Sequence, residues 1–404
     1  MRPLPSATGA RGPLIFVHSS DELYGADRML LEMVEAAHDD PRVSALEVWL
    51  PTDLEHPAPE LSLCGVLESR GVLVRHLDLP VLRRSYRTPV GLTRLLSRGA
   101  GLLRELRRVG ASTVYCTSSA TLLAAPVARL ARVPHVVGHV QEIWSRADLA
   151  ALTGPARCCR QLVAVSDAAA GSLPAGLARR TSVVPNGSPD PGPPVPLAGR
   201  TGPLRFLVAS RWNGWKGHGT LLAAWEEAQA PGTLVVLGGP PSSGEHTNVP
   251  RLVAALSRPD TVEVVGEVAD PSPWFEAADV VLLPSDSPEP SGLVAIEALA
   301  RGRPVLASAG GGLVDIVTPG VDGWHFPPGD VSTLASLLRG LARAEVTTAG
   351  LRARESYEAR LTEREFVRRW REVVLGAWSP ADGTVDALPG DHDQPKRIQA
   401  PGRR

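Results

Sequence analysis

No apolar run in the 404 residues approaches the roughly 20 that a membrane-spanning helix requires. Met1 to Gly12 contains Pro and Gly but no apolar signal core, so Leu14-Ile-Phe-Val17 reads as the first strand. Cysteine is scarce. The four thiols, Cys64, Cys116, Cys158 and Cys159, form no Cys-x-x-Cys and no paired framework, which suits reduced side chains in a cytoplasmic protein. Charge shows no excess of either sign: 42 basic against 43 acidic residues give a net charge of −1, which argues against a general nucleic-acid binder. A dinucleotide fingerprint is also missing. The first strand is followed by His18-Ser-Ser-Asp-Glu-Leu-Tyr-Gly25, and prolines interrupt Gly238-Gly-Pro-Pro-Ser-Ser-Gly244, so a nicotinamide-dependent dehydrogenase does not fit. No Asp-x-Asp metal site accompanies the strands. His135 and His139 lie on a strand-like run without a third ligand nearby, and metal-independent chemistry is expected.

The chain does contain short apolar runs alternating with helical stretches in each half, the pattern of doubly wound α/β units. Strands are predicted near Leu14–Val17, Leu46–Leu50, Val72–Leu77, Thr113–Cys116, His135–Val140 and Gln161–Val165. A second set is predicted near Arg205–Ala209, Thr233–Leu237, Val262–Val265, Val280–Leu283 and Pro304–Ala307. Between the sets, Pro189-Asp-Pro-Gly-Pro-Pro-Val-Pro196 is too rich in proline for regular structure and reads as a semi-rigid linker. The expected division is a flexible 1–12, an N-terminal domain over 13–188, a linker over 189–202, a second domain over 203–361 and a disordered tail over 379–404. Helices are predicted around Val331–Ala344 and Thr362–Trp378.

Two motifs carry chemistry. Pro284 closes the run Val280–Leu283, so Glu289 sits on a loop, and helical spacing of Leu293, Ile296 and Leu299 puts Ser291 or Gly292 at a helix N-terminus. Free N–H groups there favour an anion such as a diphosphate. Glu297 follows Glu289 by eight positions, and such a pair can hold a sugar and a ribose on either side of phosphates; an ordinary acidic loop gives the same spacing. Upstream, Arg211-Trp-Asn-Gly-Trp-Lys216-Gly217 brings two cations to a strand-to-helix turn. Taken alone they suit a solvated surface pair. At the carboxyl ends of a parallel sheet, Arg211 offers a fork of donors to phosphate and Lys216 a mobile point charge.

The Arg-x4-Lys pair and Glu-Pro-Ser-Gly-Leu-Val-Ala-Ile-Glu resemble the donor-site signature of retaining glycosyltransferase family 4. Further landmarks stand in that family's order: Leu23-Tyr-Gly25-Ala-Asp27-Arg28, His139-Val-Gln-Glu142, Val165-Ser-Asp167, Val184-Pro-Asn-Gly187, Gly266-Glu-Val268, Gly310-Gly-Gly312 and Gly320-Val-Asp-Gly323. The resemblance, over roughly residues 14 to 375, implies a GT-B fold, two Rossmann-like doubly wound domains facing across a cleft, with the last helix crossing back to the first domain. It implies a hexosyltransferase drawing on a UDP-, GDP- or ADP-sugar, with no cofactor. Arg211 and Lys216 would neutralise the diphosphate, Glu289 would hold the sugar and Glu297 the ribose. Gly25, Val268, Ser291, Gly292, Leu293 and Val294 would line the donor, and His139 would stand near the anomeric carbon. The acceptor implied is a glycan, a lipid-linked carrier or a small molecule. A sugar-nucleotide hydrolase or epimerase, and a non-catalytic binder, share the fold. Tyr24 stands where the family often has a glycine, and Ser291 where it often has an aromatic.

One stretch stands outside these motifs. Between Arg83 and Arg108 lie eight arginines and a single acid, Glu105. Leu92, Leu95, Leu96, Leu102, Leu103 and Leu106 recur there at helical intervals, with Arg94, Arg98 and Arg108 largely off the stripe. The plain expectation is a core-packing helix with a solvated arginine face; the alternative is peripheral contact with an anionic membrane at its inner face.

Overall fold

The computed structural model describes residues 12–54, 62–83, 86, 88–241 and 245–376. The rest of the expected N-terminal segment and the expected tail lie outside these residues. The first sheet has seven strands, β1 (Leu14–Val17), β2 (Leu46–Pro51), β3 (Leu73–Leu77), β4 (Thr113–Cys116), β5 (His135–Val140), β6 (Gln161–Ala164) and β7 (Thr181–Val183), in the order β3-β2-β1-β4-β5-β6-β7. The second has six, β8 (Leu204–Ala209), β9 (Gly232–Leu237), β10 (Val262–Gly266), β11 (Val280–Leu283), β12 (Val305–Ser308) and β13 (Gly323–Phe326), in the order β10-β9-β8-β11-β12-β13. Every pairing within both sheets is parallel. Helices cover both faces, so the central strands are buried on both sides and read as continuous apolar runs.

In each sheet the strand order reverses beside its first strand, between β1 and β4 and again between β8 and β11. Loops leaving the carboxyl ends at these two points form the crevices in which open α/β sheets bind ligands.

Strands β7 and β13 are absent from the sequence prediction. Thr181-Ser-Val183 has only three residues, and neither it nor Gly323-Trp-His-Phe326 forms an apolar run. The predicted helix around Val331–Ala344 is two helices, Val331–Gly340 and Arg343–Arg360. The second buries Val346, Ala349, Gly350, Ala353 and Tyr357, a side made mostly of small residues that leaves no strong apolar stripe to read. Gly350 permits the close packing: a Cβ there would fall 2.7 Å from the Gly302 carbonyl oxygen.

The segment from Glu363 onward packs on the first domain. Phe366, Trp370, Val374 and Leu375 join the apolar layer containing Phe16, Val48 and Tyr115. The Trp370 Nε1–H donates to the Tyr115 hydroxyl at 3.1 Å. Backbone bonds between Ser188 and both Leu361 and Glu363, at 3.1 and 2.9 Å, tie the two chain crossings together.

The helix Pro89–Val109 departs from its predicted stripe. Leu102 and Leu106 are buried, but Leu92 and Leu96 are 53% and 67% exposed, and Arg98, expected in solvent, is only 8% exposed. Asp53 at 2.9 Å and the Tyr86 hydroxyl at 2.6 Å receive the Arg98 guanidinium, which is why burial is tolerated.

Candidate active site at the domain cleft

Two loops of the second domain bring its charged residues together. After β8, Asn213 to Gly217 make a single tight turn that leads into the helix His218–Glu227. After β11, the chain runs through Ser285 to Gly292 into the helix Leu293–Ala300. The loops are stitched by Asp286 N–H to Trp215 O at 2.8 Å and by Thr220 Oγ1–H to Asp286 at 2.7 Å. Gly217, at φ +73°, lies so close to Pro284 that any Cβ would collide with its carbonyl.

The result is a direct meeting of Lys216 and Glu289. Lys216 Nζ donates to Glu289 Oε1 at 2.5 Å, and Ser285 Oγ donates to Oε2 at 2.7 Å. Glu289 is only 8% exposed, and these partners satisfy its buried carboxylate. The chain holds 40 arginines but only two lysines, Lys216 and Lys396; the ammonium therefore stands out against an arginine background, a signal the motif reading did not use.

Arg211 and Glu297 instead meet residues of the first domain. Arg211 donates to Glu22 at 2.9 Å, and its guanidinium carbon lies 3.3 Å from the centre of the Tyr24 ring. Burial acts to lower the Arg211 pKa, but Glu22 and Tyr24 outweigh it and hold it above its ordinary value. Glu297, with its side chain about one-fifth exposed, receives Arg28 at 3.2 Å. Burial raises its carboxyl above the ordinary range against the opposing pull of Arg28 and Arg301. Arg28 precedes Glu297 by 269 positions, so no local pattern reveals the pair.

The helices Gly25–His38 and Leu293–Ala300 begin face to face. A Cβ on Gly25 would sit 2.8 Å from Leu293 Cδ1, across the domain boundary. Gly292 adopts φ +69° at the start of the second helix. Ser291, Leu293 and Val294 are half-buried around that start, and Val268, Leu293 and Val294 each pack against the same apolar layer of the second domain. The starts of these two helices therefore meet at the domain boundary, and the N–H groups of a helix start favour an anion.

The loop bearing Glu22, Tyr24 and Gly25 rests on a buried polar network that the motif reading missed. His18 bridges the Thr117 hydroxyl at 2.6 Å and Asp27 Oδ1 at 2.9 Å. Ser20 Oγ donates to the same Asp27 oxygen at 2.6 Å, while Asp27 Oδ2 accepts the Tyr24 N–H at 3.2 Å. The apolar–polar switch from Val17 to His18 at the end of β1 is the available sequence signal.

His139 is not brought to this group. It is fully buried on β5, its Nδ1 3.1 Å from the Tyr115 hydroxyl, and burial pushes its pKa down to about 3. Tyr115 in turn accepts the Trp370 N–H, so the His139 side chain is linked through Tyr115 to the crossover segment. A separate cavity of about 710 Å³, lined by Glu32, Glu35, Asp190, Tyr357, Glu363 and Arg371 among others, contains none of the cleft residues.

Residues 203–344 match the family glycosyl transferases group 1. The chain is 42% identical over 116 residues to D-inositol 3-phosphate glycosyltransferase of Kribbella flavida, covering 27% of this chain and 26% of that protein. It is 39% identical over 158 residues to the protein of that name in Xylanimonas cellulosilytica, covering 37% of each. The chain thus spans between 26% and 37% of the length of these two relatives. Among solved structures, HepE of Anabaena in complex with UDP and glucose superimposes with a TM-score of 0.72 at 22% identity, covering 90% of this chain and 99% of that one. Sucrose-phosphate synthase of Thermosynechococcus elongatus gives 0.67 at 20% identity, covering 91% and 99%. The fold is GT-B.

In GT-B terms, the second domain supplies a lysine, an arginine, two carboxylates and a helix N-terminus at its strand ends. The first supplies Glu22, Tyr24, Arg28 and a second helix N-terminus. Such a set can bind a polyanion carrying hydroxyl groups: cations and N–H groups take the phosphates, carboxylates the hydroxyls.

Proposed function

We propose that the chain is a retaining, metal-independent hexosyltransferase of family 4, taking its sugar from a nucleoside-diphosphate sugar. The observation that carries this reading is the convergence of Lys216–Glu289, Arg211, Glu297 and two opposed helix N-termini on one cleft. HepE bound to UDP-glucose on the same fold supports a UDP-sugar as the first donor to try. D-inositol 3-phosphate, named for the relatives, is the first acceptor to try among the glycan, lipid-linked and small-molecule classes.

Donor binding exchanges partners. The diphosphate takes Arg211 from Glu22 and shares Lys216 with Glu289, which turns a carboxylate oxygen to the sugar hydroxyls. Glu297 takes the ribose hydroxyls in place of Arg28. In the reaction the bond between the anomeric carbon and the diphosphate oxygen breaks, the acceptor oxygen bonds to that carbon on the same face, and the acceptor proton passes to the departing phosphate. Lys216 and Arg211 act most strongly as negative charge grows on that phosphate. Closure of the two domains excludes the water that would otherwise intercept the sugar.

The test is an assay of UDP-, GDP- and ADP-hexoses with and without acceptor, product configuration being read by proton NMR. Acceptor-dependent transfer with retention of the anomer is expected. Sugar release at the same rate without acceptor would identify a hydrolase, and ligand binding without turnover a binding protein.

A further inference from the structure

The two halves of the helix Pro89–Val109 have opposite surroundings. Its second half buries Leu102 and Leu106 in the first domain, whereas its first half leaves Val90 at 71%, Leu92 at 53% and Leu96 at 67% exposure. At 3.6 residues per turn, Leu96 and Arg104 lie opposite buried Arg98, Leu102 and Leu106, with exposed Val90 and Leu92 flanking them on either side. Arg94 is exposed beside them. Among the described residues, neither Arg94 nor Arg104 has an ion-pair partner. Arg108, by contrast, pairs with Glu105.

Arg98 fixes where this exposed half projects. Its guanidinium is held by Asp53, which follows β2, and by the Leu79 carbonyl and Tyr86, which follow β3. The turns before Arg98 therefore run about 13 Å beyond that anchor, on the carboxyl-end side of the sheet where the cleft also opens. Exposed leucines and valine next to unpaired arginines, in a stretch whose one acid is already paired, complement an anionic lipid surface. The apolar side chains can enter the acyl boundary while the guanidiniums meet phosphate oxygens. A bilayer also needs no matching pocket.

We propose that the outward face of the Pro89–Val109 helix, from Val90 to Arg104, is a docking surface for an anionic bilayer, which holds the open side of the first domain against the membrane. This goes beyond the donor chemistry and is read without any sugar nucleotide, so its failure leaves that reading standing. The helix does not cross the membrane: among the described residues no helix is long and apolar enough to do so.

The experiment is flotation of the full chain with vesicles of phosphatidylcholine alone and of equimolar phosphatidylcholine and phosphatidylglycerol. Binding to the anionic vesicles is expected, weakened in 1 M salt, where the Debye length is about 3 Å. Arg94→Glu/Arg104→Glu should reduce that binding by roughly tenfold or more, and Leu92→Ser/Leu96→Ser should also reduce it, with melting temperature and donor binding unchanged in both. These side chains are exposed, so neither variant disturbs the core. Absence of binding to anionic vesicles, equal binding to neutral ones, or unaltered binding by both variants would overturn the proposal. A concentration-dependent dimer lost in Leu92→Ser/Leu96→Ser, without vesicle binding, would instead assign the face to a second copy of the chain.

Discussion

The two domains share one topology around the switch point, yet distribute their polar chemistry differently. In the second domain Lys216 and Glu289 sit on short loops and pair with each other, while Arg211 and Glu297 reach across to the first domain. In the first domain the corresponding loop is carried by the buried His18–Asp27–Thr117 network. The residues it displays, Glu22, Tyr24 and Arg28, each meet a charged side chain of the second domain across the cleft. In the proposed site one domain would supply the charges for a phosphate, and the other a loop that holds two of those charged groups in its absence. A site shared in this way is complete only when the domains approach each other.

The sharpest break falls on the second domain. Lys216→Ala should lower transfer by about 100- to 1,000-fold, the loss typical of one electrostatic contact to a transition state, with unchanged circular dichroism; near-normal rates would remove the residue from the site. The first domain should respond through its support. Asp27→Ala leaves buried His18 without a carboxylate and should cost about 1–3 kcal/mol in urea unfolding, alongside weaker donor binding. A stability loss with donor affinity intact would separate the network from the loop.

The cross-cleft contacts should give smaller effects. Glu22→Gln removes the carboxylate that competes with phosphate for Arg211 and should tighten donor binding by up to roughly fivefold at low salt, since a partly exposed pair is worth little. Calorimetry would detect the opposite sign if Glu22 helps hold the donor.

The smallest effect concerns the crossover junction. Glu32 is raised to about 8 by burial first, then by Glu363 and Glu35. Its protonated form is favoured in the folded chain, so this contribution is full below about pH 4.5 and is lost as pH rises through 8. Glu32→Gln should therefore raise the melting temperature by roughly 2 °C at pH 9 and leave it unchanged at pH 4. Equal melting curves at both pH values would remove the carboxyl cluster as a source of alkaline instability.

The difference between domains also explains what could be read before the fold was known. Fully buried parallel strands such as Leu14–Val17 and Val280–Leu283 are visible as apolar runs, so most of both sheets is legible. Strand β7 and the helix Arg343–Arg360 are not: one is too short, and the other buries mainly small residues. Arg211, Lys216, Glu289 and Glu297 lie in compact spacings within one domain and stand out. The Arg28–Glu297 and Glu22–Arg211 contacts depend on how two domains meet, which local spacing does not encode. His139 shows the converse, because a polar residue near the end of a strand can serve the interior. Arg98 does the same within the helix Pro89–Val109.

Lys216 is the residue on which the proposed nucleotide-sugar site turns, and the scarcity of lysine makes its placement directly measurable. Acetylation of the full chain with an amine-selective reagent, read by mass spectrometry, can follow Lys216 with Lys396 as internal reference. Saturating UDP-glucose, GDP-glucose or ADP-glucose should slow acetylation of Lys216 for at least one of the three and leave Lys396 unchanged. Unchanged acetylation of Lys216 with all three, despite binding detected by calorimetry, would place the nucleotide sugar elsewhere and contradict the account.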